Sequence, residues 1–483
     1  MRHFTLFSRN CRELRTIMQR SEAFPTPKER CVHLIMYCIL LLSATVTFAT
    51  EHVSYEQLQT NGWDKYIGKQ ICITTPLVVC GNFYDSLYLA PQRLYVPEEH
   101  AIGLQKGDSS MYWKEAAWNR ATRIKIECPK PYDLNLGATV KNLKARVTGV
   151  RSLQTGKQPS FRNLRPSKRL PDMQGTDIIV CSANIQNYFV HQGGYATKRN
   201  TNGQHALQCY KVAAAFAHIN ADLYTICELE KGDSAPKELT SMLTRLSRQR
   251  NYNYVSTGAS DADTISVGLI YDTQRLRPYG ELRFAYPDRN NIFAYRFLLQ
   301  GFEDIATGER FVVSVNHLRS KRGTAQESCQ KRRNNSHALL RCIREAYTDS
   351  IYTDPDILIV GDFNSYAYEA PLQDIVNAGY QDILMQTDSL GYSYCYKGEC
   401  GYLDRVYASP TMAQQITTAH PIHWNTDIYY SAAYYSKYNF KKQQIPTNAP
   451  NDIRRLMSCA AKKNLIFRYS DHDPILIGIK LGK

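Results

Sequence analysis

Five strand-like runs beyond Thr176 each carry a carboxylate, carboxamide or imidazole at one end. Ile357-Leu358-Ile359-Val360 leads into Gly361-Asp362-Phe363-Asn364, which places an acid and an amide at a strand mouth. Ser470-Asp471-His472-Asp473-Pro474 precedes Ile475-Leu476-Ile477. A His between two acids is set up to have its pKa raised and its ring oriented. Phe311 to Val315 runs into Asn316-His317, Tyr224 to Cys227 ends at Glu228, and the first strand of the set carries Asn184. Singly, a strand-end Asp is more often a turn residue, and a lone His on an apolar strand a structural one. Together they mark one rim, provided the last strand runs antiparallel so that its start meets the other strands' ends. Acids, amides and imidazoles on such a rim are the material of general acid–base chemistry.

The elements that must position these groups fall into two patterns. From Thr176 onward strands and helices alternate: Asp177 to Ile185 is an apolar strand, Ala206 to Ile219 has helical spacing, Leu223 to Cys227 is a strand, and Pro236 to about Arg248 is an amphipathic helix. Phe297–Leu299 and Phe311–Val315 flank Thr307-Gly308 and read as a hairpin. Hairpins mixed with crossovers imply an α/β sandwich of two sheets faced by helices. Residues 50–150 instead show brief β-type runs between Gly, Pro and Asp turns, which suit a small all-β barrel or sandwich. Residues 151–175 are polar, Pro-bearing and basic, and read as a linker. The catalytic unit is then residues 176–483, with a Tyr-rich stretch from Tyr429 to Tyr438 as its one compositional bias.

Ser182-Ala183-Asn184-Ile185, Glu228, Asn316-His317-Leu318, Gly361-Asp362-Phe363-Asn364, Leu403-Asp404 and Ser470-Asp471-His472 come in an order that resembles the endonuclease/exonuclease/phosphatase superfamily. Asn184 to Phe189, Val267 to Tyr271, Asn316 to Lys321, Gly401 to Asp404 and His423 to Asp427 are similar to blocks of bacterial secreted nucleases with an N-terminal OB-like domain. The resemblance implies a four-layer, deoxyribonuclease-like α/β sandwich behind an OB-like barrel, acting on phosphodiesters. It implies that Asn184, Glu228 and Asp471 hold Mg²⁺ or Mn²⁺, with Glu228 as the hard oxygen ligand. Asp362 would align or deprotonate the attacking water, Asn364 would donate to a phosphate oxygen, His472 oriented by Asp404 would serve as acid/base, and His317 would contact the phosphate or leaving group. Asn187, Arg296 and Lys321 would contact substrate. Two departures stand out: Gln186 where many relatives carry an acid, and Phe297 where they often have Pro.

Composition agrees with a globular exported chain. A hydrophobic fraction of 43% with 21% charged residues excludes disorder throughout. Leu34 to Ala49 is the one long apolar stretch, too short and polar-spotted for a span of about 20 residues, and reads as a secretory signal cleaved after Ala49. This implies a secreted or periplasmic protein without a stable membrane partner. Residues 1–49 hold seven Lys/Arg and three acids, so their loss takes the net charge from +15 to +11 and favours a polyanionic substrate, nucleic acid. Of 14 Cys none has CxxC spacing, which argues against zinc. Cys395 and Cys400 flank a Lys397-Gly398 turn, and a disulfide is expected between them. The barrel is expected to bind substrate without joining the chemistry, so that residues 176–483 alone would keep kcat. Two alternatives share the motifs: a phosphoesterase for lipid or inositol phosphates, and a non-catalytic nucleic-acid-binding protein. Oligomeric state is not encoded in any of these features.

Overall fold

The strand Ile178–Tyr188 is apolar on both faces, and the structure shows why both must be dry. The computed structural model describes residues 50–82, 86–99, 110–127, 134–164, 166–191, 202–247, 249–258, 265–285, 296–428 and 466–482. The expected signal segment and the Tyr429–Tyr438 stretch lie outside them. Ile178–Tyr188 sits inside a six-stranded sheet ordered Tyr252–Tyr254, Ile265–Asp272, Leu223–Glu230, Ile178–Tyr188, Ile475–Ile479, Ile416–Pro421. A second six-stranded sheet runs Leu276–Ala285, Arg296–Asp304, Arg310–His317, Ile357–Asp362, Asp404–Ala408, Gln381–Asp382. The sheets meet through Val180, Leu223, Leu269, Val313, Leu358, Val360 and Ile477, all buried. Each such side chain contributes roughly 1.5–3 kcal/mol by leaving water.

Helices close the outer faces. The helix Ser234–Leu246 buries Ala235, Leu239, Met242 and Leu243, spaced at one face of a 3.6-residue turn, and packs with the Asn202–Ile219 helix on the first sheet. The helix Ala325–Thr348 starts at Thr324, whose side chain accepts from the Glu327 N–H, and lays Leu339, Ile343 and Ala346 on the second sheet. The result is the expected four-layer sandwich. The Arg296–Asp304 and Arg310–His317 hairpin forms as expected. The last strand, Ile475–Ile479, is antiparallel to Ile178–Tyr188, so its start shares the rim with the other strands' ends.

The N-terminal unit departs from an all-β barrel. Its eight strands run Glu51–Val53, Gln70–Ile73, Leu143–Gly149, Ser152–Gln154, Ile124–Glu127, Ser86–Ala90, Leu77–Asn82, Thr139–Val140, with no pairing between the two edge strands among the described residues. Two helices accompany them, Tyr55–Asn61 and Ser110–Thr122. The first is fixed by a capping box between Ser54 and Gln57. The second buries Ala116, Asn119 and Thr122 while Met111, Trp113 and Trp118 stay exposed, so its sequence carries no readable apolar stripe. Residues 151–175, expected to be a linker, are packed. Ser152–Gln154 belongs to the sheet, the Trp424 indole donates to Ser167 O at 2.8 Å, and Leu170 and Met173 pack on the sandwich core. A short three-stranded sheet joins the two units: Leu94–Tyr95 lies parallel to Glu399–Gly401, which pairs in turn with Tyr394–Tyr396.

Candidate active site

Sheet register brings the chemistry together before any side chain is considered. His317 lies opposite Asp362 on parallel strands, Asp362 opposite Asp404 on antiparallel ones, and Arg296 opposite His317. Gly361 makes this approach feasible: its φ is +127°, and a Cβ there would sit 2.0 Å from Asn316 O. On the facing sheet, two adjacent strands are irregular at the same level, with register shifts between Asn184 and Tyr188 and between Cys227 and Leu229. Gln186, Asn187, Glu228 and Asn364 all adopt left-handed backbone, an uncommon conformation for non-glycine residues that concentrates at functional sites. The bulge turns the Glu228 carboxylate into the cleft instead of the core.

Asp362 is the hub. Its Oδ1 accepts from the Asn364 N–H at 2.8 Å, and its Oδ2 accepts from Asn184 Nδ2 at 3.1 Å and Asn364 Nδ2 at 3.2 Å. Burial pushes its carboxyl up to about 7, the His472 charge pulling down and Asp404 pushing up again. Glu228 accepts from Asn184 Nδ2 at 3.3 Å and from the Asn187 N–H at 2.8 Å. Burial, then the neighbouring Asp471, hold it above the usual carboxylate range. His472 Nδ1 is 2.8 Å from Asp404 Oδ2, and its Nε2 is 3.9 Å from Asp362 Oδ2. Burial alone would lower this imidazole, but Asp404, Asp362 and Asp471 raise it well above its ordinary value. His317 goes the other way. Its Nε2 lies 3.6 Å from Asp362 and 3.9 Å from Glu228, yet burial, with Arg296 and His472 nearby, holds it well below the usual value. One imidazolium and one neutral imidazole thus flank one carboxylate.

Glu228, His317 and Asp362 form the group able to hold a metal ion among the described residues. Their chemistry fits a divalent cation: two carboxyls raised by desolvation share the pocket, Asp362 buried and Glu228 half-buried, and His317 turns its Nε2 toward both. Membership differs from the expected Asn184, Glu228 and Asp471. Asn184 turns its amide NH₂ to both carboxylates while its oxygen accepts from the Gln186 N–H at 2.9 Å, and Asp471 lies beside Glu228 outside the cluster. Asn364 spends its side-chain N–H on Leu318 O and Asp362, so it holds Asp362 in place. Asn187 acts through its backbone N–H. Arg296 is half-buried at the rim: burial lowers its pKa, whereas the charges of Glu228 and Asp362 raise it. Lys321 is turned away, paired with Glu369 and resting 3.8 Å over the Tyr366 ring.

Several supporting groups escaped the sequence reading. Asp473 does not touch His472; it binds His423 Nδ1 at 2.8 Å and accepts the Asn425 and Thr426 N–H groups. Asn425 Nδ2 donates to His472 O at 2.6 Å, and Tyr394 lies over the His472 ring with centroids 4.5 Å apart. The His423 to Asp427 block was the one sequence signal that pointed here. Cys395 and Cys400 face each other in register, as expected, but both thiols are free. The two thiols hydrogen-bond to each other; Cys400 also accepts from Arg93 Nη1 at 3.6 Å, and Cys395 lies 3.7 Å from Cys80 O.

A carboxylate hub between a charged and a neutral imidazole, on the rim of two packed sheets, defines a hydrolytic site. Residues 195–480 match the model of the Endonuclease/Exonuclease/phosphatase family, and the chain belongs to that family, whose members are hydrolases of phosphodiesters or phosphate esters. Solved structures that resemble the chain include an endonuclease/exonuclease/phosphatase family protein from Bacteroides thetaiotaomicron, with 14% identity, 62% of this chain and 96% of that one covered, and a TM-score of 0.42. A mannosyl-6-phosphatase from the same organism has 14% identity, 63% and 99% coverage and a TM-score of 0.42. The human Nocturnin catalytic domain has 14% identity, 65% and 98% coverage and a TM-score of 0.41. No curated protein matches the chain.

Proposed function

We propose that this protein is a secreted, divalent-metal-dependent phosphodiesterase that hydrolyses nucleic acid, with DNA as the polymer it favours. The observation that carries the reading is the placement of Asp362 between Glu228, His317 and the Asp404–His472 pair. Asp362 lies where it can align the attacking water. Asn184 and Asn364 fix its two oxygens so that little reorganisation is needed. His472, kept positive by Asp404, offers charge and a proton to the oxygen on which negative charge develops. Glu228, Asp362 and His317 fit Mg²⁺ or Mn²⁺, whose contribution when bound is to neutralise phosphate charge. The net charge of +11 on residues 50–483 and the nuclease-like motif blocks favour a polyanion over a small phosphoester.

The test incubates the purified protein with plasmid DNA, RNA, and lipid or inositol phosphoesters, each with Mg²⁺, with Mn²⁺ and with EDTA. Metal-dependent cleavage of DNA is the expected result. Turnover confined to lipid or inositol phosphoesters would replace the nuclease reading with the phosphoesterase one.

A further inference from the structure

The N-terminal unit contributes one acid to the middle of the catalytic unit. Glu99 ends a short 3-10 turn, Pro97–Glu99, just after the strand Leu94–Tyr95 that pairs with Glu399–Gly401. Its carboxylate is buried, with 1% of the residue exposed. Oε1 accepts the Tyr402 N–H, and Oε2 accepts the Ala367 N–H at 3.1 Å and pairs with Arg405, whose side chain is fully buried. Arg405 also holds Asp382 at 3.2 Å. These contacts sit on the two segments that present the reacting groups. Ala367 closes the loop that begins with Asp362 and Asn364, whereas Tyr402 and Arg405 bracket Asp404. The Phe363 N–H donates to Leu403 O at 2.9 Å, so the segments are tied beside the carboxylate that clamps them. Gly401 leaves the room: a Cβ there would meet Glu99 Cγ and Oε1 at 3.1 Å. The turn itself is anchored by Val96 N to Cys400 O at 2.9 Å and Tyr368 N to Glu98 O at 3.0 Å.

We propose that Glu99 is a positioning residue for the active site: by binding the Ala367 and Tyr402 amides and Arg405 together, it sets the spacing between Asp362 and the Asp404–His472 pair. The N-terminal unit is then a working part of the catalytic machinery and not a detachable substrate-binding module. A buried carboxylate satisfied by two backbone N–H groups and a guanidinium is rigid, and rigidity is what a neighbouring hydrogen-bonded pair needs to keep its geometry. The kinetic consequence rests on the phosphodiesterase reading; the structural one does not.

The experiment compares wild-type protein with Glu99→Gln and Glu99→Asp by two readouts. The first is kcat and KM on a short DNA oligonucleotide. The second is the low-field Nδ1–H proton resonance of His472 donated to Asp404, assigned by its absence in His472→Gln. Glu99→Gln is expected to lower kcat about 10-fold or more with KM within about twofold, as a small misplacement of reacting groups does, and to abolish the resonance. Glu99→Asp keeps a charge opposite Arg405 and so covers the case in which the Gln variant does not fold. Its shorter arm cannot reach both amides, and a loss of about threefold with a weakened resonance is expected. Arg123→Ala, which removes the Arg123–Glu399 pair at the outer end of the same interface, is expected to leave kcat within about twofold. A folded Glu99 variant with wild-type kcat and an intact resonance overturns the proposal, as does an equal loss in Arg123→Ala. If the wild-type protein cleaves no phosphodiester, the proposed function fails and the resonance alone decides the role of Glu99.

Discussion

His472 has a carboxylate on either side in sequence, yet the oxygen that orients it belongs to Asp404, 68 positions away. The motif therefore disclosed which residue would be charged, and of its two neighbours Asp471 adds to that charge. Asp473 is occupied with His423 and two loop amides, and Asp404 emerges because a strand register places it opposite Asp362. Asp404→Asn should lower kcat by about 10²-fold or more on a DNA oligonucleotide and lower the melting temperature as well, since the amide keeps the shape but leaves the buried imidazolium without its opposite charge. Unchanged kcat would show that the pair is only structural. The carboxyls of Glu228 and Asp362 are both held high by burial, so a metal ion must displace protons to bind. Apparent Mg²⁺ affinity should accordingly strengthen as pH rises through about 7, the value to which Asp362 is pushed. Titration calorimetry at pH 6 and pH 8 checks the sign, and tighter binding at pH 6 would contradict it.

At the scale of elements, apolar strands ending in polar residues were legible because both faces of each strand are largely buried, and the acids, amides and imidazoles gather at one end. The bulges were not legible. Nothing in Cys227-Glu228-Leu229 announces that Glu228 takes a left-handed conformation, because that choice is imposed by two neighbouring strands slipping together. The helix Ser110–Thr122 escaped for a different reason, since its exposed Met111, Trp113 and Trp118 erase the amphipathic stripe. Gly361 shows how tightly the site elements are drawn together. Gly361→Ala would force backbone at Asn316 O to retreat from a 2.0 Å contact, at a φ that suits only glycine. A loss of more than about 2 kcal/mol in urea unfolding is expected, together with reduced kcat, because Asn316 and Asp362 flank the displaced point. A variant as stable as wild type would contradict the account of the approach.

For the whole molecule, the sequence separates two units by composition, but it cannot reveal that they share a sheet and a buried ion pair. Residues 176–483 were expected to retain kcat without the first unit. The contacts between the units lead to the opposite prediction, because the shortened chain would leave the fully buried Arg405 without Glu99, Asp427 without Arg93 at 2.9 Å, and the Glu399–Gly401 strand without a partner on one edge. Breaking a buried pair by removing one partner costs about 3–5 kcal/mol. Residues 176–483 should therefore melt well below the full chain and lose kcat on short and long DNA alike. Equal melting temperatures would restore the picture of independent modules. The central claim, that this constellation hydrolyses nucleic acid with a divalent metal, is tested most directly by following supercoiled plasmid DNA with the full protein in Mg²⁺ or Mn²⁺, in EDTA, and with His472→Ala. The account expects nicking in metal, none in EDTA, and a loss of at least about 10²-fold in the variant. Nicking that persists undiminished in EDTA, or that His472→Ala performs as fast as wild type, would contradict it.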